Sequence, residues 1–178
     1  DVTHALPVVR TLQHHWPETS ITWVIGKNEY TLVSDIEGVE FITFDKSLGL
    51  GAYREVYKKL AGRRFDVLLH MQLSLRASIT SLLIRADIKL GFDFARAKDM
   101  QWLFTNSRII PLSTRQHVVD SFLEFPRRLG LKPVLEWKLP VSAEAVTRVQ
   151  DKVSGEKFLV INPCAVAKSR NWRNWTAE

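Results

Sequence analysis

Apolar, strand-like runs that alternate with helical patterns constrain the fold of this chain more than any other feature. Short apolar runs with the length of buried strands lie at residues 21–25, 39–44, 65–70 and 158–161. Helical patterns lie between or beside them, at residues 29–36, 53–61, 76–86, 117–129 and 142–152. Strands that alternate with helices are joined by crossover connections, which set neighbouring strands parallel. The pattern therefore predicts an α/β fold built on a parallel sheet.

The first residues of the chain carry both an acid and a base. Asp1 and His4 lie just before Pro7. Proline suits a first helical turn, where its missing N–H has no helical partner, so we expect a helix to begin near Pro7. Apolar residues at helical spacing follow, namely Val8, Val9 and Leu12. Asp1 is then either the cap of an ordinary helix or the acid–base group of a transferase or hydrolase.

Composition narrows the class of protein. Hydrophobic residues make up 46% of the chain and charged residues 25%, which is typical of a folded domain. No apolar run is long enough to cross a bilayer, so we expect no transmembrane segment. The single cysteine, Cys164, excludes an internal disulfide framework and a cysteine-based zinc site. The net charge of +6 favours anionic partners, such as nucleic acid, phosphorylated sugars or a membrane surface.

Several binding signatures are absent from the sequence. It contains no G-x-G-x-x-G, no P-loop, and no Asp-x-Asp pair of the kind that holds a divalent metal on a sugar nucleotide. Its five histidines show no zinc-ligand spacing. We therefore expect neither a metal nor a cofactor. Because the basic residues are interspersed with acidic ones, we also expect no nucleic-acid partner.

Polar residues that can carry chemistry gather in a few stretches. One is residues 1–7. Another, residues 70–78, follows a predicted strand, and open α/β sheets bind ligands at the carboxyl ends of their strands. A third, residues 116–120, opens a helix, and a last one runs from Asn162 through a basic loop to Glu178.

In order and spacing these stretches resemble the motifs of bacterial glycosyltransferase family 9, the ADP-heptose:lipopolysaccharide heptosyltransferases. The matching residues are D-V-T-H-A-L-P at 1–7, Gln72 with Arg76 and Ser78, G-F-D at 91–93, Q-H-V-V-D at 116–120, and the segment 162–178. The first and last motifs are the specific ones, and the heptosyltransferase I branch is the more similar. His70 stands where the family often has Asp, and Cys164 where it has Gly.

The resemblance implies the two-domain GT-B architecture, with a Rossmann-like parallel sheet in the N-terminal half that this chain covers. It implies inverting, metal-independent transfer of heptose from ADP-L-glycero-D-manno-heptose to the Kdo/heptose inner core of lipopolysaccharide, with Asp1 as general base. The residues implied to bind the acceptor are His4, Gln72, Arg76, Lys98 and His117. Those implied to bind the donor are Lys168, Arg170 and Arg173. A cytoplasmic enzyme is implied, which meets its lipid A–Kdo acceptor at the inner face of the cytoplasmic membrane.

The same resemblance suggests a division of the chain. We expect an acceptor-binding domain at residues 1–135, a linker and connecting helix at 136–156, and the start of the nucleotide-sugar-binding domain at 157–178. No strand precedes the opening helix, and the chain ends within a helical pattern. We therefore expect a fragment that lacks the first strand and most of the second domain, and that is inactive by itself.

Plainer interpretations stay open. The sequence also fits a related glycosyltransferase that uses another nucleotide sugar, or a non-catalytic module that binds anions or nucleic acid. His4 and His70 also fit packed histidines, and Arg76 and Lys98 fit solvated charges. Arg-Asn-Trp occurs at Arg170 and again at Arg173. We favour the second as the donor-phosphate contact, because the residues after it continue the family pattern.

Overall fold

The computed structural model describes residues 2–111, 116–141, 143–150 and 153. The helices are α1 (Val2–His15), α2 (Lys27–Tyr30), α3 (Leu50–Leu60), α4 (Leu75–Leu82), α5 (Val118–Arg128) and α6 (Ala143–Gln150). The strands are β1 (Ile21–Gly26), β2 (Val39–Phe44), β3 (Phe65–Leu69), β4 (Ala86–Gly91) and β5 (Ser107–Arg108). Short 3₁₀ turns lie at Lys46–Leu48 and Gln101–Leu103.

All strand pairs in the described part of the chain are parallel. β1 pairs with β2, with Ile21 opposite Val39. β3, β4 and β5 form a second ladder in that order, with Phe65 opposite Ala86 and Leu90 opposite Ser107. The prediction of an α/β fold with parallel strands is therefore confirmed. The predicted strand at 158–161 lies outside the described residues.

Helix α1 is longer than the sequence predicts. It already includes Val2, and Pro7 lies inside it rather than in its first turn. Proline is tolerated here because the helix is held by tertiary packing, with Leu6 and Val8 fully buried. The hydroxyl of Thr11 also donates to the carbonyl of Pro7 at 2.6 Å and accepts from the N–H of Val134 at 2.9 Å.

Two further boundaries differ from the prediction. The helix expected at 29–36 covers only Lys27–Tyr30, and the chain after it makes i to i−3 bonds, such as Val33 N to Tyr30 O at 3.0 Å. The helix expected to reach residue 86 ends at Leu82, and β4 begins at Ala86. Pairing of Ala86 with β3 outweighs the helical preference of alanine.

In the described residues the core consists of three clusters of buried hydrophobic side chains, and the smallest joins Leu6 of α1 to Ile25, Val33 and Ile36. Helices α1 and α5 pack together around Phe92, Phe122 and Phe125. The rings of Phe92 and Phe125 meet edge to face, with their centroids 5.0 Å apart. Helix α3 packs on the ladder of β1 and β2, where its Val56 contacts Ile42 of β2. Burial of each such side chain contributes about 1.5–3 kcal/mol.

The segment 131–141 has no regular secondary structure. Helix α1 holds it at two more places, since His15 Nε2 contacts the carbonyl of Lys132 at 2.8 Å and Arg10 donates to the carbonyl of Lys138 at 2.7 Å. The chain divides into two compact units after Pro140, and α6 belongs to the second. The expected domain boundaries after residues 135 and 156 stay predictions.

Candidate functional site

The carboxyl ends of β3, β4 and β5 meet at one edge of their ladder, because these strands are parallel. Ligands of open α/β sheets bind at such an edge. The described segments that leave it are 70–74, 92–106 and 109–111. The first two carry Gln72 and Lys98, and Arg96 of the second bonds to Gln116, which precedes His117. Gln72, Lys98 and His117 are acceptor-binding residues of the sequence prediction. We call this region the carboxyl edge.

The loop that follows β4 is organised by a buried carboxylate. The side chain of Asp93 is only 4% exposed. Its Oδ1 accepts from the N–H of Ala95 at 2.9 Å and of Arg96 at 3.3 Å. Its Oδ2 accepts from Nε of Arg96. Because every buried charge needs a partner, this ion pair fixes the loop and the arginine together.

Arg96 links that loop to the segment before α5. Its Nη1 donates to Oε1 of Gln116 at 3.0 Å, and its Nη2 donates to the carbonyl of Ile110 at 2.9 Å. A guanidinium has donors on two sides of a rigid plane, so one side chain can bridge several acceptors. The structure thus joins the motif at 91–93 to the motif at 116–120. Arg96 is absent from the sequence prediction.

The same loop reaches the start of α4. Oδ2 of Asp99 accepts from the N–H of Leu75 at 3.1 Å, beside the N-cap Ser74, whose hydroxyl accepts from Ala77 N at 3.3 Å. A carboxylate is favourable at a helix N-terminus, where N–H groups lack partners. Asp99 and Met100 have left-handed backbone angles, φ 50° and 54°, which turn the loop toward α4. Lys98 thereby lies next to the helix that carries Arg76.

Gln72, Arg76 and Lys98 are all exposed at this edge. Oε1 of Gln72 accepts from the N–H of Leu73 at 3.2 Å, and its amide nitrogen has no hydrogen-bond partner in the described part of the chain. Within the described ranges, neither Arg76 nor Lys98 has a side-chain hydrogen bond or ion pair. They are two cations at the carboxyl edge that an anionic ligand can contact.

His117 and His4 are brought near each other by the packing of α1 against α5. His117 is the N-cap of α5, and its Nδ1 accepts from the N–H of Val119 at 3.3 Å. The ring of His4 lies 6.1 Å from that of Phe122. Burial lowers the pKa of His4, and the charge of His117 acts in the same direction. His4 is therefore suited to a neutral, hydrogen-bonding role.

Two buried polar side chains, Gln101 and His70, lie behind the edge, and Gln101 is not singled out by the sequence analysis. Gln101 is fully buried, and it donates to the carbonyl of His70 at 2.8 Å and accepts from the N–H of Phe92 at 3.1 Å. It joins the ends of β3 and β4. His70 is 5% exposed, and its ring nitrogens have no partner in the described part of the chain. Burial, with a smaller effect of Lys89, lowers the pKa of His70 to about 4.

The remaining predicted site residues fall elsewhere. Asp1, Lys168, Arg170 and Arg173 lie outside the described residues, so their placement stays a prediction. In the ranges that are described, no group of three or more His, Cys, Asp and Glu side chains is arranged to hold a metal ion. No helix within those ranges is long and apolar enough to span a bilayer.

Comparisons with known proteins give a consistent match. The family model described as "Glycosyltransferase family 9 (heptosyltransferase)" matches residues 53–177. The chain is 38% identical over 175 residues to the lipopolysaccharide core heptosyltransferase OpsX of Haemophilus influenzae, covering 97% of this chain and 50% of that protein. It therefore spans about half the length of this curated relative.

Solved structures show the same fold. A glycosyl transferase of family 9 from Veillonella parvula matches with a TM-score of 0.70 at 18% identity, over 84% of this chain and 44% of that one. The Escherichia coli heptosyltransferase WaaC with ADP matches with a TM-score of 0.63 at 19% identity, over 76% and 46%. The same enzyme with ADP-2-deoxy-2-fluoro heptose matches with a TM-score of 0.61 at 19% identity, over 76% and 46%.

Proposed function

This chain belongs to glycosyltransferase family 9, and we propose that its protein transfers a heptose from a nucleotide-activated donor to the inner core of lipopolysaccharide. The observation that carries this proposal is the family match across residues 53–177. The relative from Haemophilus influenzae, named a lipopolysaccharide core heptosyltransferase, supports the acceptor class. The ADP and the ADP-sugar analogue named with WaaC support an adenine nucleotide donor, ADP-L-glycero-D-manno-heptose.

The proposed acceptor site is the carboxyl edge. Arg76 and Lys98 supply positive charge for the anionic Kdo/heptose core, and Gln72 supplies an amide donor. His117 and His4 approach from the α5 and α1 side. Charge-assisted hydrogen bonds of this kind are about twice as strong as neutral ones, so the two cations account for most of the attraction.

The proposed reaction is a direct displacement with inversion at the anomeric carbon. Asp1 takes the proton of the acceptor hydroxyl while the hydroxyl oxygen bonds to that carbon and the bond to ADP breaks. A positioned general base contributes typically about 10²–10⁴-fold to such a rate. Lys168, Arg170 and Arg173 are proposed to stabilise the negative charge that develops on the departing ADP, without a metal.

We also propose that the protein works at the inner face of the cytoplasmic membrane. The loop at the carboxyl edge exposes an apolar group, Phe94 at 66%, Leu103 at 58% and Trp102 at 41%. The guanidinium of Arg108 lies 4.2 Å from the centre of the Phe94 ring. Aromatic side chains beside cations suit the interface of an anionic bilayer. A lipid-linked acceptor would be met at such a surface.

Replacement of Asp1 tests the proposed mechanism. In the full-length protein, we expect Asp1→Asn and Asp1→Ala to lower kcat by at least about 10²-fold with an unchanged fold, because the proton acceptor is lost. The assay follows ADP release from ADP-heptose with a Kdo–lipid A acceptor, and circular dichroism reports the fold. Asp66→Asn, at an exposed carboxylate of β3, is the matched control. Near-normal turnover in Asp1→Asn would rule out Asp1 as the base.

A donor panel separates the proposed activity from its alternatives. Transfer from a UDP- or GDP-sugar, and none from ADP-heptose, would indicate a related glycosyltransferase with another donor. Retention on DNA that weakens with salt, together with no transfer from any donor, would indicate a nucleic-acid-binding module instead.

A further inference from the structure

Arg96 joins two segments of the carboxyl edge through one side chain, the loop after β4 and the residues that follow β5. Its Nε donates to the buried Asp93, its Nη1 to Gln116 Oε1 at 3.0 Å, and its Nη2 to the carbonyl of Ile110 at 2.9 Å. The side chain is 23% exposed, so these bonds are partly shielded from water. The segments after β4 and β5 are thereby fixed relative to each other. Of these three partners, Gln116 is the one whose side chain belongs to the Q-H-V-V-D motif at 116–120.

The contact with Arg96 determines which way the Gln116 amide faces. A guanidinium has donors and no acceptor, so only the oxygen of the amide can face it. The amide nitrogen, with two N–H donors, then points away from Arg96. Among the described residues it has no hydrogen-bond partner.

The next residue presents a donor in the same manner. Nδ1 of His117 accepts from the N–H of Val119 at 3.3 Å. In a neutral ring the hydrogen is then on Nε2, which has no hydrogen-bond partner among the described residues. Gln116 and His117 therefore both present N–H groups, at a sheet edge where ligands of α/β folds bind.

We propose that Arg96 is a positioning residue, which orients Gln116 so that its amide N–H groups bind an oxygen of the acceptor sugar, a carboxylate or a hydroxyl. This inference rests on the proposed function, since it assigns the acceptor to the carboxyl edge. It adds two residues that the family resemblance did not name as site residues. Asp93 serves the same end, because it neutralises Arg96 and fixes the guanidinium plane.

The direct test replaces the amide by an isosteric acid. In the full-length protein, Gln116→Glu keeps an oxygen for Arg96 but removes both N–H donors. We expect KM for the Kdo–lipid A acceptor to rise on the order of tenfold or more, because a hydrogen bond to a charged oxygen is lost. We expect KM for ADP-heptose and the thermal midpoint to stay close to wild type. An unchanged acceptor KM would overturn the binding role of Gln116.

The positioning role is tested by a double-mutant cycle. If Arg96 acts through Gln116, Arg96→Met raises the acceptor KM in the wild type but has little further effect in Gln116→Ala. Arg96→Lys, which keeps the charge but lacks the planar fork, should restore KM only in part. An equal effect of Arg96→Met in both backgrounds would contradict the proposal. Arg64→Met, at an exposed arginine paired with Asp87, is the control.

A binding measurement separates this inference from the proposed function. Free Kdo is titrated into the ¹⁵N-labelled full-length protein, and the side-chain amide resonance of Gln116 is followed by NMR. The inference predicts that this resonance shifts in the wild type, and that the shift is lost in Arg96→Met. If it shifts but no heptose is transferred, the proposed reaction fails and the inference stands. If heptose is transferred but the resonance does not move, the inference fails alone.

Discussion

Replacement of His70 by phenylalanine is expected to make the free energy of unfolding less sensitive to acid between pH 7 and pH 5. The ring is 5% exposed and its nitrogens lack partners in the described part of the structure. Burial, with a lesser contribution from Lys89, lowers the pKa of His70 from 6.5 to about 4 in the folded state. In the unfolded chain His70 therefore binds a proton below pH 6.5, whereas in the folded chain it binds one only below about pH 4.

This difference fixes the sign and the size of the effect. The contribution of His70 to the free energy of unfolding is fully present above pH 6.5. It falls as the pH drops toward 4, because the unfolded state binds more protons in that range. At about 1.4 kcal/mol per pH unit, the total contribution is about 3 kcal/mol. Between pH 7 and pH 5 the wild type should lose about 2 kcal/mol that His70→Phe does not lose.

Urea denaturation of both proteins at pH 7 and pH 5, followed by circular dichroism, measures this difference. Other titrating groups cancel in the comparison, because they are common to both proteins. His14→Phe, at an exposed histidine of α1, controls for the mere loss of an imidazole. Equal losses of stability in the wild type and His70→Phe would refute the reasoning, since the buried ring would then be protonated as readily in the folded as in the unfolded chain.

Further predictions concern the groups that hold the carboxyl edge and its supporting helix. Gln101→Leu should lower the free energy of unfolding by about 2–4 kcal/mol in urea denaturation, because the carbonyl of His70 and the N–H of Phe92 lose their partners. A loss below 0.5 kcal/mol would contradict this role. Thr11→Val should cost about 1–3 kcal/mol, because it leaves the N–H of Val134 unpaired at nearly constant volume. Hydrogen exchange at Val134 should then become faster, and an unchanged rate would show that this bond does not hold the segment.

The parallel α/β arrangement could be predicted because it depends on a local pattern, the alternation of apolar runs with helical segments. Runs such as 39–44 and 65–70 are apolar enough to identify strands, and both form strands in the structure. Boundaries were less predictable where tertiary contacts decide them. Buried packing carries α1 past Pro7, and pairing with β3 draws Ala86 into a strand.

The site was predictable only in part, for a related reason. Gln72 follows the strand end at 65–70 that the alternation identifies, so its place at the carboxyl edge could be expected. Lys98 and His117 follow β4 and β5, which the alternation does not identify. The roles of Arg96 and Gln101 depend on hydrogen bonds to residues that lie up to 31 positions away. No spacing rule in a single sequence specifies such partners. His70 could be noted from its place at a strand end, but its lack of a partner is visible only in the folded chain.

Heptose transfer by the full-length protein tests the central proposal most directly. The purified protein is incubated with ADP-L-glycero-D-manno-heptose and a Kdo–lipid A acceptor in the presence of a chelator, and the product is analysed by mass spectrometry and NMR. The proposal predicts an acceptor that is heavier by one heptose, whose anomeric configuration is inverted relative to the donor. No heptose-bearing product, or a product with the donor's configuration, would contradict it.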